Sequence, residues 1–160
     1  EMIFEYVSLN CNQVLKSTYN RLKQRADKKG IELVLELSEN ELVIKTDWMK
    51  LEKIVYAIAE NAIKYTMQGK VVLRSFVFSK FAYITITDTG DGMNQEDIKY
   101  LLEPFSQEEQ GYTRKYQGAG LGLAIASKLT KMMGGLFEIV SRKQTGTKVT
   151  LIFPVVKINS

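Results

Sequence analysis

Apolar residues recur along this chain with two periods, and the switches between them predict a mixed α/β domain. Val14, Leu15, Tyr19 and Leu22 fall at helical spacing between Leu9 and Lys29, and Gly30 is placed to close that helix as a C-cap. Leu51, Ile54, Ile58 and Ala62 form a second apolar stripe from Trp48 to about Tyr65, behind Asp47 as N-cap. A third helix carries Leu121, Ile125, Leu129 and Met132 on its inner face and ends at Gly134-Gly135. Alternating positions predict the strands. Ile3 to Val7 reads as a short edge strand, and Ile31 to Leu37 with Glu41 to Thr46 as a hairpin about Ser38-Glu39-Asn40. Val71 to Phe78 and Phe81 to Thr87 are joined at Ser79-Lys80. Leu136 to Ser141 and Thr147 to Phe153 make a last hairpin about Gly146, with Pro154 stopping the final strand. A short helix, Gln95 to Leu102, follows an Asn94 cap.

Composition narrows the class. The chain has 160 residues, 45% apolar and 25% charged, the profile of one ordinary globular domain spanning residues 1–160. The net charge of +4 comes partly from Lys16, Arg21, Lys23, Arg25, Lys28 and Lys29, which read as a solvated helix face because no aromatic residues interleave with them. A nucleic-acid partner is therefore not expected. A single cysteine, Cys11, excludes an internal disulfide and suggests a reducing, cytoplasmic compartment. No apolar run approaches membrane-spanning length, so direct membrane contact is not expected either, although the chain would also suit the cytoplasmic part of a membrane-bound sensor. The absence of histidine rules out Ser-His-Asp catalysis and histidine-type zinc sites.

Three stretches carry chemistry. The strand from Phe81 delivers Asp88 to its more apolar face, where an ionised carboxylate is costly unless a donor meets it, and no Lys or Arg lies in the turn that follows. Gly90 and Gly92 allow a ligand to lie against the backbone, but Asp-Gly is also a common turn dipeptide, so turn and site both stand on this stretch alone. Asn61 sits on the margin of the second helix's apolar stripe and needs partners for its amide, which a neighbouring backbone or a ligand would supply; Lys64 and Tyr65 lie at the same helix end. Gly118-Ala119-Gly120-Leu121-Gly122-Leu123 opens the third helix, and a glycine-rich helix start is an anion site, although glycines used for a tight turn compete with that reading. Before it, Glu103 to Gly118 is almost all polar and too long for an idle connection, which reads as a lid or a disordered insertion.

In combination these stretches resemble the catalytic and ATP-binding domain of sensor histidine kinases, a branch of the ATPase superfamily that includes DNA gyrase, heat-shock protein ninety and MutL. Glu60 to Thr66 resembles the N box, Asp88 to Gly92 the first G box and Glu103-Pro104-Phe105 the F box. Gly118 to Leu123 resembles the second G box and Gly146-Thr147 the third, the order being that of the family. The resemblance implies a Bergerat-type, two-layer α/β sandwich: a mixed, mostly antiparallel sheet of about five strands with three main helices on one face.

It implies ATP and Mg2+ as cofactors. Asp88 would accept from the adenine amino group with Thr147 nearby through water, Gly90 and Gly92 would let the base lie against the turn, and Tyr65 would flank the ring. Asn61 would ligate the metal and Lys64 neutralise phosphate charge. Backbone groups of Gly118, Gly120, Leu121, Gly122 and Leu123 would cradle the triphosphate, while Gln107, Arg114 and Lys115 of the lid, about residues 103–118, would reach the γ-phosphate. Lys64 and Arg114 are thus the candidate catalytic residues. The implied activity is transfer of the γ-phosphoryl group to a histidine on a dimerisation domain of the parent kinase, expected N-terminal to Glu1 and dimeric, with onward transfer to a response regulator or receiver domain. Thr113 to Tyr116 looks more like the hybrid kinases.

Two departures bear on this. Ala57 stands where the N box carries another Asn, which puts metal binding in question unless Glu60 or water compensates, and Ala119 replaces a usual Thr. Two other readings follow: a degenerate ATP-holding scaffold, supported by Ala57, and an ATPase of the gyrase or MutL type, whose water-activating Glu would occupy the Ala57 position.

Overall fold

The computed structural model describes residues 3–102 and 122–159. Its elements run β1 (Tyr6–Asn10), α1 (Cys11–Lys29), β2 (Glu32–Glu36), β3 (Glu41–Asp47), α2 (Trp48–Tyr65), β4 (Lys70–Phe78), β5 (Phe81–Asp88), α3 (Gln95–Leu102), α4 (Leu123–Met132), β6 (Leu136–Arg142) and β7 (Gly146–Asn159). The α/β sandwich expected from the sequence is present, with a wider sheet than expected. Seven strands form it in the order β1-β3-β7-β5-β4-β2, with β6 paired to β7. The β2–β4 pair is parallel and the other pairs are antiparallel.

Local signals set the helix ends. Asp47 accepts from the Lys50 N–H at 3.0 Å and caps α2, and Asn94 does the same for Asp97 at 2.7 Å. Gly30, at φ 81°, closes α1 through N–H contacts to Ala26 and Asp27. The Asn10 side chain accepts from Asn12 N–H at 3.0 Å, so α1 starts at Cys11 and β1 runs directly into the cap, later than the Ile3 to Val7 expected. At the other end of α2, Lys29 Nζ bonds the Ile63 and Lys64 carbonyls at 2.7 and 2.5 Å, placing a cation at the negative end of the helix.

The inner rows of the sheet are continuous. Leu73, Ile86 and Val149 pair across β4, β5 and β7, followed by Ser75, Ile84 and Leu151, and these pack with Leu15, Leu22, Ile54 and Ile58 into one core. At the end of the same rows Asp88 lies between Val71 and Thr147. A smaller cluster of Met93, Ile98 and Leu101 sits under α3 and touches Leu123.

Three expectations are corrected. The β2–β3 hairpin does not form: β2 lies against β4 at one side of the sheet, and β3 lies between β1 and β7 at the other. The buried Asn12 amide holds the connection apart by donating to the Ser38 and Asn40 carbonyls at 3.1 and 3.3 Å, while the Ser38 N–H donates to Ser75 Oγ at 2.9 Å. Pro154 does not stop β7. It pairs with Phe81 at the last position of the β5 ladder, after which Val155 pairs with Ile44 and the strand continues along β3. Finally, Ile125 and Met132 of α4 are 40% and 46% exposed; the helix buries Leu129 as expected, together with Ala126, Ser127 and Thr130, while Leu121 lies outside the described residues. Small side chains allow close packing on α2, which a pattern based on large apolar residues overlooks.

Candidate functional site

Where the inner rows end, a cavity of about 350 Å³ opens between α2, the turn after β5, the start of α4 and the β6–β7 hairpin. That size suits a small-molecule ligand. The periodicity of α2 brings Asn61 and Tyr65 to one wall, beside Ile58 and Ala62. Register brings Asp88 and Thr147 to the floor, and Gly92 and Leu123 complete the ring. The walls are apolar: Ile86, Met93, Leu101 and Val149 surround the few polar groups.

Asp88 Oδ1 accepts from the Gly90 N–H at 2.8 Å and the Thr147 N–H at 3.3 Å. Both bonds fall on one oxygen. Burial pushes the Asp88 carboxyl above its usual range, and these two N–H groups offset part of the rise. A carboxylate in an apolar cavity that accepts from two backbone N–H groups through one oxygen can accept a further N–H.

The turn after β5 and the β6–β7 hairpin interlock. Gly92, at φ 70°, passes so close to the Arg142 carbonyl that a Cβ would lie 2.0 Å from its oxygen, and Gly146, at φ 133°, stands in the same relation to the Asp88 carbonyl. Gln144 N–H donates to the Asp91 carbonyl at 2.6 Å, and Met93 N–H donates to Ser141 Oγ at 2.7 Å. Gly92 thus lines the cavity and also serves chain-to-chain contact. Gly90 is held by packing, since a Cβ there would lie 2.9 Å from the Tyr65 carbonyl oxygen and 3.0 Å from Thr66 Oγ1.

Gly122 stands at the N-cap of α4 and makes no side-chain hydrogen bond to the first N–H groups of that helix. Leu123, its first residue, faces the cavity. Lys64 stands apart from this cavity. It lines a second one of about 320 Å³ with Arg25, Lys29, Glu60 and Ile63, and Asn61 is the residue shared by both. Lys64 Nζ lies 5.5 Å from the Tyr65 ring centre. Glu60 is bonded to Arg25 at 2.5 Å and so is turned away from the first cavity. Gln107, Arg114, Lys115, Gly118, Gly120 and Leu121, with the lid and F box, lie outside the described residues.

Sequence reasoning missed Asp91, Lys143 and Ser141. Asp91 and Lys143 are exposed at the cavity rim, and no sequence signal marks them. Ser141 was within reach, since a hairpin about Gly146 pairs it with Thr147.

The arrangement has a counterpart among known proteins, because residues 46–157 match the family described as histidine kinase-, DNA gyrase B- and HSP90-like ATPases. The chain belongs to that family. Similar curated proteins are sensor kinases. The autoinducer 2 sensor kinase/phosphatase LuxQ of Vibrio parahaemolyticus is 32% identical over 148 residues, covering 88% of this chain and 17% of LuxQ. This ATPase domain therefore spans less than a fifth of that relative's length. Among solved structures, full-length ShkA in complex with AMPPNP matches with a TM-score of 0.80 and 27% identity, covering 96% of this chain and 32% of that one. Histidine kinase ThkA in complex with the response regulator protein TrrA shares the fold, with a TM-score of 0.78 and 19% identity, covering 98% of this chain and 43% of that one. Among the described residues of the ATPase domain, no helix is long and apolar enough to cross a membrane, and no cluster of three His, Cys, Asp or Glu side chains could hold a metal.

Proposed function

We propose that this domain binds magnesium-ATP and transfers its γ-phosphoryl group to a histidine on a separate dimerisation domain of the same sensor kinase, for onward transfer to a response regulator. The observation that carries the reading is Asp88: a half-buried carboxylate at the floor of an apolar cavity, with Asn61, Thr147 and the start of α4 among its other polar walls. Asp88 would accept an N–H of the adenine amino group, and Tyr65, at the cavity wall, would flank the ring. The first N–H groups of α4, which follow Gly122, would suit phosphate oxygens, with Gly118, Gly120 and Leu121 as the expected remainder of the cradle. Lys64 would neutralise phosphate charge from the adjoining cavity, and Gln107, Arg114 and Lys115 would approach the γ-phosphate.

The residues present would fit a magnesium ion bound with the nucleotide, held by Asn61. Mg2+ keeps several waters and takes few protein ligands, and Asn61, at the junction of both cavities, offers one amide oxygen. Bound there, the ion would supply charge neutralisation on the transferring group. Glu60 is committed to Arg25, so water is the better substitute for the Asn that Ala57 replaces.

The chain has no histidine, so a phosphoacceptor must lie elsewhere. The ShkA–AMPPNP and ThkA–TrrA complexes support an ATP-like ligand and a response-regulator partner. A scaffold that holds ATP without transfer is favoured only by Ala57. A gyrase-type hydrolase is disfavoured because Ala57, 8% exposed, cannot activate water and Glu60 points at Arg25. Mixing the domain with its parent's histidine-bearing domain and γ-labelled ATP tests the reading. Magnesium-dependent labelling of that histidine is expected; ATP binding without labelling would leave the scaffold, and rapid hydrolysis by the isolated domain would favour the gyrase-type mechanism.

A further inference from the structure

Ser141 has its hydrogen-bonding capacity filled by three neighbours. Its Oγ accepts the Met93 N–H at 2.7 Å, lies 3.1 Å from the Gly146 carbonyl oxygen and 2.7 Å from Thr147 Oγ1. A hydroxyl has one proton and two lone pairs. The carbonyl can only accept, so the Ser141 proton goes to Gly146. When all three contacts are satisfied at once, the remaining bond runs from Thr147 to Ser141, which commits the Thr147 proton as well.

Thr147 lines the cavity next to Asp88, and its N–H already donates to Asp88 Oδ1 at 3.3 Å. With its proton held by a serine that is only 8% exposed, the Thr147 hydroxyl turns lone pairs alone toward a ligand. Carboxylate and hydroxyl together form an end of the cavity that accepts and does not donate.

We propose that Ser141 is a positioning residue that sets base selection: by holding the Thr147 hydroxyl as an acceptor, it favours a 6-aminopurine nucleotide over a 6-oxopurine one. The inference rests on the adenine-nucleotide reading of this cavity. A 6-amino group brings N–H donors to the two acceptors. A 6-oxo group brings a carbonyl oxygen against the Thr147 lone pairs, with no donor from Asp88 or Thr147 to meet it. Without the Ser141 hydroxyl, the Thr147 O–H is free to rotate and donate to that oxygen.

The test is titration of the wild-type domain and Ser141→Ala with ATP and inosine triphosphate, which differ at the purine 6-position and the adjacent ring nitrogen. Wild type is expected to prefer ATP. In Ser141→Ala the ATP-to-inosine triphosphate affinity ratio is expected to narrow by about tenfold, the scale of one hydrogen bond gained or lost. A merely structural role would weaken both nucleotides alike, and an unchanged ratio overturns the inference. Should Ser141→Ala fail to fold, Thr147→Val, which keeps the side-chain shape and removes the lone pairs, is expected to narrow the ratio too, and an unchanged ratio there overturns it equally. Failure of the wild-type domain to bind ATP would overturn the nucleotide reading itself, and this inference with it.

Discussion

Asp88 is unfavourable for folding in the form in which it is useful for binding. Burial raises its carboxyl above the usual range, so folding costs the ionised form more than the protonated one, whereas the adenine contact proposed above would use the carboxylate. The linkage has a definite sign: the stabilisation from Asp88 is fully present below the usual aspartate range and is lost as pH rises through the raised native value. Nucleotide affinity should move the other way, falling as pH drops through that value. Asp88→Asn separates the two effects. It keeps an oxygen for the Gly90 and Thr147 N–H groups and removes the buried charge, so a melting temperature no lower than wild type is expected together with loss of adenine nucleotide binding. Calorimetric titration and thermal melts on one preparation check this, and undiminished affinity would show the carboxylate to be structural. Asn61 offers a different dissection. Asn61→Ala should weaken magnesium-ATP binding by about tenfold while metal-free ATP binding changes less, as expected for loss of one charge-assisted contact. Equal losses in titrations with and without magnesium would argue against a metal role.

Elements that were legible in the sequence are those decided locally. Trp48 to Tyr65 is a helix with the bounds its stripe and Asp47 cap indicate, and the Ser79-Lys80 turn joins β4 to β5 as the alternation suggests. Asn61 and Asp88 stood out because their residue types are unusual on an apolar stripe or inner row, whereas Tyr65 and Thr147 followed from the family resemblance; all four line the cavity. The partner of β2 was not legible. It depends on Asn12, Ser38 and Ser75, far apart in sequence and joined only in the folded core. The positions of Gly92 and Gly146 were legible, but the reason for them was not. Freedom of φ was one expectation, and the close approach of two turns is what the structure adds. Gly92→Ala should therefore cost about 2–5 kcal/mol, combining a left-handed conformation with an overlap against the Arg142 backbone. Gly30→Ala, at φ 81° with no atom near its Cβ position, should cost only about 1–2 kcal/mol. Chemical denaturation of both variants checks the contrast. Equal losses would mean that backbone conformation alone, and not the interlocking of the turns, fixes glycine at position 92.

At the scale of the whole molecule, the cavity is a joint between segments that the chain supplies from distant places: α2, the end of β5, the start of α4 and the β6–β7 hairpin. The sheet core of Ile54, Leu73, Ile84 and Leu151 holds α2 to the strands without any ligand, whereas the walls of the cavity meet through few polar contacts. A nucleotide bound as proposed, from Asp88 to the start of α4, would touch all four segments at once, and none of them presents the site in the unfolded chain. Binding should then stabilise the native state by mass action. At a nucleotide concentration one hundred times its dissociation constant the gain is about 2.7 kcal/mol, which for a domain of this size raises the melting temperature by roughly 5–10 °C. The gain should be unevenly distributed. The amides of Met93 and Thr147, whose bonds tie the end of β5 and its turn to the hairpin, and of Gly90, which bonds Asp88 within the turn, should exchange more slowly with nucleotide bound. The β1–β3 pair, from Tyr6–Asp47 to Asn10–Val43, belongs to the far side of the sheet and should exchange at an unchanged rate in its frayed outer positions. Hydrogen exchange with and without ATP reads both regions in one experiment. Protection confined to β1 and β3, with none at the β5 turn or the hairpin, would place the nucleotide somewhere other than against Asp88.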